Sequence, residues 1–136
     1  MANIIFADSD LSLCREVEKA LIREGHVILI AHGAQEAYDT ARFFKADLLI
    51  ANWMLRPRVD GSQVAAAIAT VRKNIMTILM TEQQDSGRPD ESSIIATIAK
   101  PFTIEELIKT VRQTLDSEES SKTSNAVRQM LSSDVS

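Results

Sequence analysis

The sequence predicts an α/β fold, in which a doubly wound parallel sheet of five strands carries helices on both faces. Five short apolar runs in the 136 residues are separated by segments whose apolar residues recur at helical spacing. Regular alternation of strand and helix is typical of a parallel sheet with right-handed crossover connections. The expected strand order is 2-1-3-4-5, and the fourth helix is expected to be short or missing.

The five predicted strands are rich in isoleucine, leucine or valine and show little alternation between apolar and polar residues. Continuous apolar runs of this length are typical of strands that are buried on both faces of a sheet. The predicted strands are residues 3–7, 27–31, 47–51, 75–80 and 94–99.

The helices between the strands are predicted from apolar side chains at three- and four-residue spacing. In the first helix Leu13, Val17 and Leu21 form the apolar face, and Gly25 supplies a C-terminal stop. Residues 82–93 occupy the place of the fourth helix but contain a glycine and a proline and no apolar face, so we expect a loop or one helical turn. The second and third helices carry the faces Ala34, Ala37, Tyr38, Ala41 and Phe44, and Val64, Ala65, Ile68 and Val71.

The last helix has the clearest start signal. Thr103 and Glu106 have the spacing of a capping box, and Phe102 and Leu107 have that of the hydrophobic staple around it. The apolar face of this helix is Ile104, Leu107, Ile108, Val111 and Leu115.

The end of the chain differs in composition from the rest. We place the domain at residues 1–116 and a polar, flexible tail at residues 117–136, because the serine-rich tail carries scattered charge and few apolar residues. Four of these residues have the spacing of a short amphipathic stripe that could dock on another surface, namely Ala126, Val127, Met130 and Leu131.

Composition restricts the classes of function. The net charge is −4, and the chain has no basic stripe of the kind that duplex nucleic acid requires. The single cysteine, Cys14, lies on an apolar helix face, which predicts a buried thiol in a reducing compartment. No apolar run approaches the ~20 residues of a membrane span, and the first residues do not resemble a secretion signal. We therefore expect a cytoplasmic protein that binds neither nucleic acid nor membrane.

Four of the five predicted strands are followed directly by polar residues. Asp8, Ser9 and Asp10 follow the first strand, Asn52 the third, Thr81 the fourth and Lys100 the fifth. Ligands of open α/β sheets bind beyond the carboxyl ends of the strands, so these residues predict a polar pocket at that edge. Each also has a purely structural interpretation, since the acidic residues could cap a helix, Asn52 could close an Asx-turn and Lys100 could pair with Asp8. Their convergence on one edge favours a functional pocket.

The order of these residues resembles the receiver domain of bacterial response regulators, a family with the flavodoxin-like (CheY-like) fold. The resemblance covers about residues 3–116 and is carried by IIFADSD at 4–10, DLLIANWML at 47–55, ILMT at 78–81 and AKPF at 99–102. It implies that Asn52 stands where the family has an aspartate that accepts a phosphoryl group. It also implies a Mg²⁺ site formed by two acidic positions after the first strand and the Met54 carbonyl. The threonine and the lysine would contact phosphoryl oxygens, and the Lys100–Pro101 bond would be cis.

This sequence departs from the family pattern at the reactive positions. Asn52 carries an amide, which is a poor nucleophile, so phosphorylation is not expected at this residue. Ser9 replaces the second acidic residue, which leaves Asp8 with only Asp10 as a substitute. Mg²⁺ prefers anionic oxygens. We therefore expect Mg²⁺ binding to be weak or absent, with Asp8, Asp10 and the Met54 carbonyl as weak candidate ligands, and we expect no other cofactor.

Two further departures concern the surroundings of the pocket. Glu82 follows Thr81 where the family has a small residue, and its carboxylate could reach Lys100 and occupy the place of phosphate. Thr97 stands where the family has an aromatic residue that moves inward on activation. Without that ring, we expect the usual coupling from pocket to surface to be missing.

The sequence thus predicts a pseudo-receiver, a stand-alone and non-enzymatic protein-interaction module in bacterial two-component-type signalling. Its expected partner is another signalling protein, either a histidine kinase or a downstream effector, and homodimer formation stays open. An alternative keeps phosphorylation but moves the acceptor to another carboxylate such as Asp10. A third interpretation, a nucleotide- or flavin-binding enzyme, is disfavoured because the loop after the first strand is acidic and lacks glycine.

Overall fold

A computed structural model describes residues 1–82 and 90–117, which form seven strands and four helices. The strands are β1 (Asn3–Ala7), β2 (Val27–Ala31), β3 (Leu48–Asn52), β4 (Met54–Leu55), β5 (Val59–Asp60), β6 (Met76–Thr81) and β7 (Ile94–Ala99). The helices are α1 (Leu11–Arg23), α2 (Ala34–Phe43), α3 (Gly61–Val71) and α4 (104–117).

The main sheet has five parallel strands in the order β2-β1-β3-β6-β7. This order confirms the predicted 2-1-3-4-5 arrangement, because β6 and β7 are the fourth and fifth predicted strands. Three strands have the predicted bounds, whereas β3 and β6 each begin and end one residue later than predicted. The shift makes Asn52 and Thr81 the last residues of their strands.

Helices cover both faces of the sheet, as predicted. The first apolar cluster packs α1 and α4 against one face, where Phe6, Ile50 and Ile78 are fully buried. The second packs α2 and α3 against the other face, where Ile5 and Leu49 are fully buried. Adjacent strand residues point to opposite faces, so a strand that is covered on both sides is apolar throughout.

Local signals account for the end of α1 and the start of α4. The main chain of Gly25 adopts a φ of +92° just after α1, a conformation that glycine reaches without steric strain. At the start of α4 the Glu106 N–H donates to Oγ1 of Thr103 at 3.1 Å, which is one half of the predicted capping box. Phe102 packs against the apolar cluster that contains Leu107.

Several features differ from the sequence prediction or lie outside it. The short antiparallel pair of β4 and β5 was not predicted, because two-residue strands leave no periodic pattern. In the predicted loop 82–93, residues 82 and 90–93 are not helical, and residues 83–89 lie outside the described part. Helix α4 continues through Ser117, and the rest of the predicted tail, 118–136, lies outside the described residues. None of the described helices is long and apolar enough to span a membrane.

Candidate functional site

The sheet register brings the carboxyl ends of four strands to one edge. Ala7 of β1 lies beside Ala51 of β3, and Thr81 of β6 lies beside Ala99 of β7. Asp8 and Lys100 come directly after two of these positions. The residues that end or follow these strands therefore lie along one edge, because parallel strands all end at the same side of the sheet.

Asp8 and Lys100 form an ion pair at this edge. Nζ of Lys100 lies 2.5 Å from Oδ2 of Asp8, whose side chain is 2% exposed, while that of Lys100 is 23% exposed. The other oxygen, Oδ1 of Asp8, accepts the Asp10 N–H at 2.9 Å. Both carboxylate oxygens thus have a hydrogen-bond donor, and burial strengthens the attraction between the two charges.

Asp10 has a helix-capping role. Its Oδ1 accepts the Leu13 N–H at 3.1 Å, so Asp10 is the N-cap of α1, as its structural interpretation predicted. Both Ser9 and Asp10 are exposed. Asp10 therefore reaches the pocket from its rim.

The Asn52 side chain makes a local contact with the main chain. Its Nδ2 donates to the Met54 carbonyl at 3.0 Å, two residues further along. Its Oδ1 is buried and has no hydrogen-bond partner among the described residues. The hydrogen bond that Nδ2 donates therefore fixes the orientation of the amide, and leaving Oδ1 buried without a donor is a cost of this arrangement.

The chain after β3 is held closely by its neighbours. The Trp53 N–H donates to the Met80 carbonyl at 2.8 Å, and the Trp53 carbonyl accepts the Gly61 N–H at 2.8 Å. A Cβ atom at Gly61 would lie 2.2 Å from the main-chain oxygen of Asn52, so the first turn of α3 can approach only with glycine. Sequence reasoning missed this role, although a glycine directly after Asp60 was its signal.

Thr81 and Lys100 are joined through the main chain. The Lys100 N–H donates to the Thr81 carbonyl at 2.6 Å, and the Thr81 side chain is buried. The Lys100–Pro101 bond is cis, as the family resemblance implied, and the Arg56–Pro57 bond is also cis. The lysine is thereby positioned between the ends of β6 and β1.

Glu82 lines the same pocket as Lys100, but no ion pair joins the two side chains among the described residues. The ion pair of Lys100 within the described residues is with Asp8, and the Glu82 side chain is exposed. Both residues line an open pocket of about 530 Å³, together with Asp10, Leu13, Pro101 and Phe102. Thr97 lies on β7, where its side chain is exposed.

Cys14 lies under the site and is buried, as predicted. Its Sγ lies 3.4 Å from the main-chain oxygen of Asp8. Burial, reinforced by the charges of Asp8 and Asp10, raises the pKa of the Cys14 thiol to about 11. The thiol is protonated at neutral pH and is not a nucleophile.

The candidate metal ligands already accept hydrogen bonds from nearby donors. Asp8 has an N–H donor on each carboxylate oxygen, and the Met54 carbonyl accepts an N–H from Asn52. The described residues contain no group of three or more histidine, cysteine or acidic side chains that could hold a metal ion. Mg²⁺ requires oxygen lone pairs and strongly prefers anionic ones. A cation at this site would share these oxygens with the hydrogen-bond donors that already face them.

Comparisons with known proteins agree on the kind of domain. A family model described as the response regulator receiver domain matches residues 4–112. The chain is 25% identical over 115 residues to a probable transcriptional regulator, ycf29, of Porphyra purpurea, covering 81% of this chain and 54% of that protein. It is 30% identical over 111 residues to the transcriptional regulatory protein PdtaR of Mycobacterium tuberculosis, covering 79% and 54%. The chain spans about half the length of the curated relatives it matches.

Solved structures show the same fold. A CheY-like receiver domain protein from Methanospirillum hungatei superposes with a TM-score of 0.78 at 20% identity, covering 89% of this chain and 98% of that one. The chemotaxis response regulator CheY4 of Vibrio cholerae superposes with a TM-score of 0.74 at 22% identity, covering 83% and 98%.

Proposed function

Since the chain belongs to the response regulator receiver domain family, we propose that it acts as a protein-interaction module that is not phosphorylated at Asn52. Receiver domains of this family work by contact with other signalling proteins such as kinases and effectors. In this proposal the domain presents one fixed conformation to such a partner, and the polar pocket stabilises that conformation. The domain carries out no reaction of its own.

The observation that carries the proposal is the hydrogen bond from Nδ2 of Asn52 to the Met54 carbonyl, 3.0 Å long. An amide nitrogen has no available lone pair with which to attack phosphorus. It also directs N–H groups at the carbonyl that a cation would need. Asn52 therefore replaces both the nucleophile and part of the metal site that the family pattern implies.

The ion pair of Asp8 and Lys100 supports the same proposal. The lysine that would contact phosphoryl oxygens is already paired with a buried carboxylate at 2.5 Å. Binding of a phosphoryl group would compete with this contact, and buried pairs are unfavourable to break. The exposed Thr97 on β7 adds a second reason, because it has no ring to move between a surface and a buried position.

Trp53 provides a direct test of the proposal. Its side chain is 37% exposed and follows Asn52, so its fluorescence reports on changes at this edge. We expect no saturable change in the wild type when Mg²⁺ is raised to millimolar levels and beryllofluoride, a phosphoryl mimic, is then added. The matched variant Asn52→Asp is expected to respond to Mg²⁺. Saturable quenching of the wild type by Mg²⁺, together with a covalently phosphorylated species, would overturn the proposal.

A second candidate function keeps phosphorylation at Asp10. It is supported by the position of Asp10 on the pocket of about 530 Å³ that Lys100 also lines. Against it, Oδ1 of Asp10 accepts the N-cap hydrogen bond of α1, which a phosphoryl group would disturb. Peptide mapping after treatment with acetyl phosphate distinguishes the two functions, because only this second one predicts a modified Asp10.

A further inference from the structure

A second pocket lies far from the carboxyl edge, between β7 and the last turns of α4. Its volume is about 530 Å³, and we call it the β7–α4 groove. The groove is lined by Met76, Ile95, Ala96, Thr110, Gln113 and Thr114, and by Ser117.

The groove is uncharged, and its lining combines three apolar residues with four neutral polar ones. None of its lining residues carries an ionisable side chain, and Ile95 is 37% exposed although it is a large apolar residue. An occupant with an apolar face and no charge on that face would match this lining, because burial of apolar surface is the main favourable contribution available.

The groove is where the chain continues into residues 118–136. Ser117 is both a lining residue and the last described residue of α4. Within the following 19 residues, the apolar side chains Ala126, Val127, Met130 and Leu131 fall on one face at helical spacing. This stripe contains no charged side chain, so its chemistry matches that of the groove.

The dimensions also agree. Six residues, 126–131, extend about 9 Å in a helix, and the groove follows α4 from Thr110 to Ser117, a distance of about 10 Å. Eight residues, 118–125, join Ser117 to the stripe, and a connection of that length has a reach of about 16 Å, enough to turn back over the groove.

We propose that residues 126–131 dock in the β7–α4 groove of their own chain. A short linker gives a tethered segment an effective concentration on the order of millimolar, so even a contact with a Kd of about 1 mM is half occupied. A second copy of the chain fits less well, since seven lining residues are far fewer than the roughly 20–30 residues per side of a stable interface. The proposal is independent of the proposed function, because the groove shares no residue with the pocket that Lys100 lines and does not include Asn52.

Amide spectra of the full-length chain test the proposal. The variant carries Met130→Asp and Leu131→Asp, and the matched control carries Ser132→Asp and Ser133→Asp, which add the same charge just beyond the stripe. We expect the amide signals of the groove residues to move in the variant and to keep their wild-type positions in the control. Unchanged signals from β1 establish that the variant is folded.

A synthetic peptide of residues 118–136 tests the contact from the other side. Added at millimolar concentration to the variant, the peptide is expected to return the groove signals toward their wild-type positions. Groove signals that are identical in wild type and variant would overturn the proposal. Groove signals of the wild type that move on dilution would also overturn it, because they would show that a second copy of the chain occupies the groove.

Discussion

Nζ of Lys100 lies 2.5 Å from Oδ2 of Asp8, and this contact joins residues that are 92 positions apart in the chain. It connects the carboxyl ends of β7 and β1 across the two strands that lie between them in the sheet. The carboxylate is almost fully buried, so the pair is a structural element as well as part of the pocket.

Removing the cation of this pair should destabilise the domain. We expect Lys100→Met to lower the free energy of unfolding by about 3 kcal/mol, because it leaves a buried carboxylate without its counter-charge. Urea denaturation measures the change. Adding Asp8→Asn to Lys100→Met should recover part of the loss.

The control for this experiment is the exposed pair of Arg112 and Glu24. Breaking it with Arg112→Met should lower the stability by less than about 1 kcal/mol. Equal losses in Lys100→Met and Arg112→Met would show that the burial of Asp8 contributes nothing to the strength of its pair.

Asn52→Asp should make stability depend on Mg²⁺. The variant replaces the N–H donor that faces the Met54 carbonyl with a carboxylate oxygen. Without metal, its free energy of unfolding should therefore be about 1–2 kcal/mol lower than that of the wild type. Millimolar Mg²⁺ should then raise the Tm of the variant and leave that of the wild type unchanged. Asn52→Ala is the control, since it loses the same hydrogen bond but gains no charge. A rise in the Tm of the wild type equal to that of Asn52→Asp would contradict the account.

Arg72 should stabilise the end of α2. Its Nε lies 2.8 Å from the Ala41 carbonyl and 3.2 Å from that of Phe44, and one terminal nitrogen lies 3.1 Å from that of Arg42. Carbonyls at a helix C-terminus lack partners within the helix, and a cation there is favourable. We expect Arg72→Ala to lower the free energy of unfolding by about 1–3 kcal/mol, whereas the exposed neighbour Lys73→Ala should change it by less than about 0.5 kcal/mol.

His26 should make the domain less stable in mild acid. Burial, together with the N-terminal ammonium group, lowers the pKa of His26 below its ordinary value, and its Nδ1 accepts the Ala2 N–H at 3.0 Å. The unfolded chain therefore binds a proton more readily, and stability is lost as the pH falls below about 6.5. His26→Gln should flatten this part of the curve of unfolding free energy against pH, while the exposed His32→Gln should not. Parallel curves for the wild type and His26→Gln would show that protonation of His26 does not cause the loss of stability in mild acid.

Much of the fold follows from local sequence pattern. The five apolar runs predicted the five strands, because a strand covered on both faces is apolar throughout. The order of the strands was expected from the doubly wound fold type and is confirmed by the sheet. The meeting of Asp8 and Lys100 was also predictable, since both follow parallel strands that end at one edge. In the same way Thr103 was recognisable as a cap from the residue three positions later.

Contacts that depend on a single side chain and a distant main-chain atom were not predictable. The Arg72 side chain donates to carbonyls of α2 that lie about 30 positions earlier in the chain. The close approach of Gly61 to the Asn52 carbonyl depends on how α3 packs. Neither leaves a periodic pattern in the sequence. The direction of the Asn52 amide was not predictable either, because it depends on a carbonyl whose orientation only the folded loop defines.

Intact-mass measurement after incubation with acetyl phosphate and Mg²⁺ tests the central claim most directly. The wild type and Asn52→Asp are treated side by side, so that the variant reports whether the remaining pocket can support the reaction. We predict that the wild type keeps its mass, because Asn52 offers an amide where phosphorylation needs a carboxylate. A wild-type protein that gains the mass of one phosphoryl group, with the modification mapped to this pocket, would contradict the account.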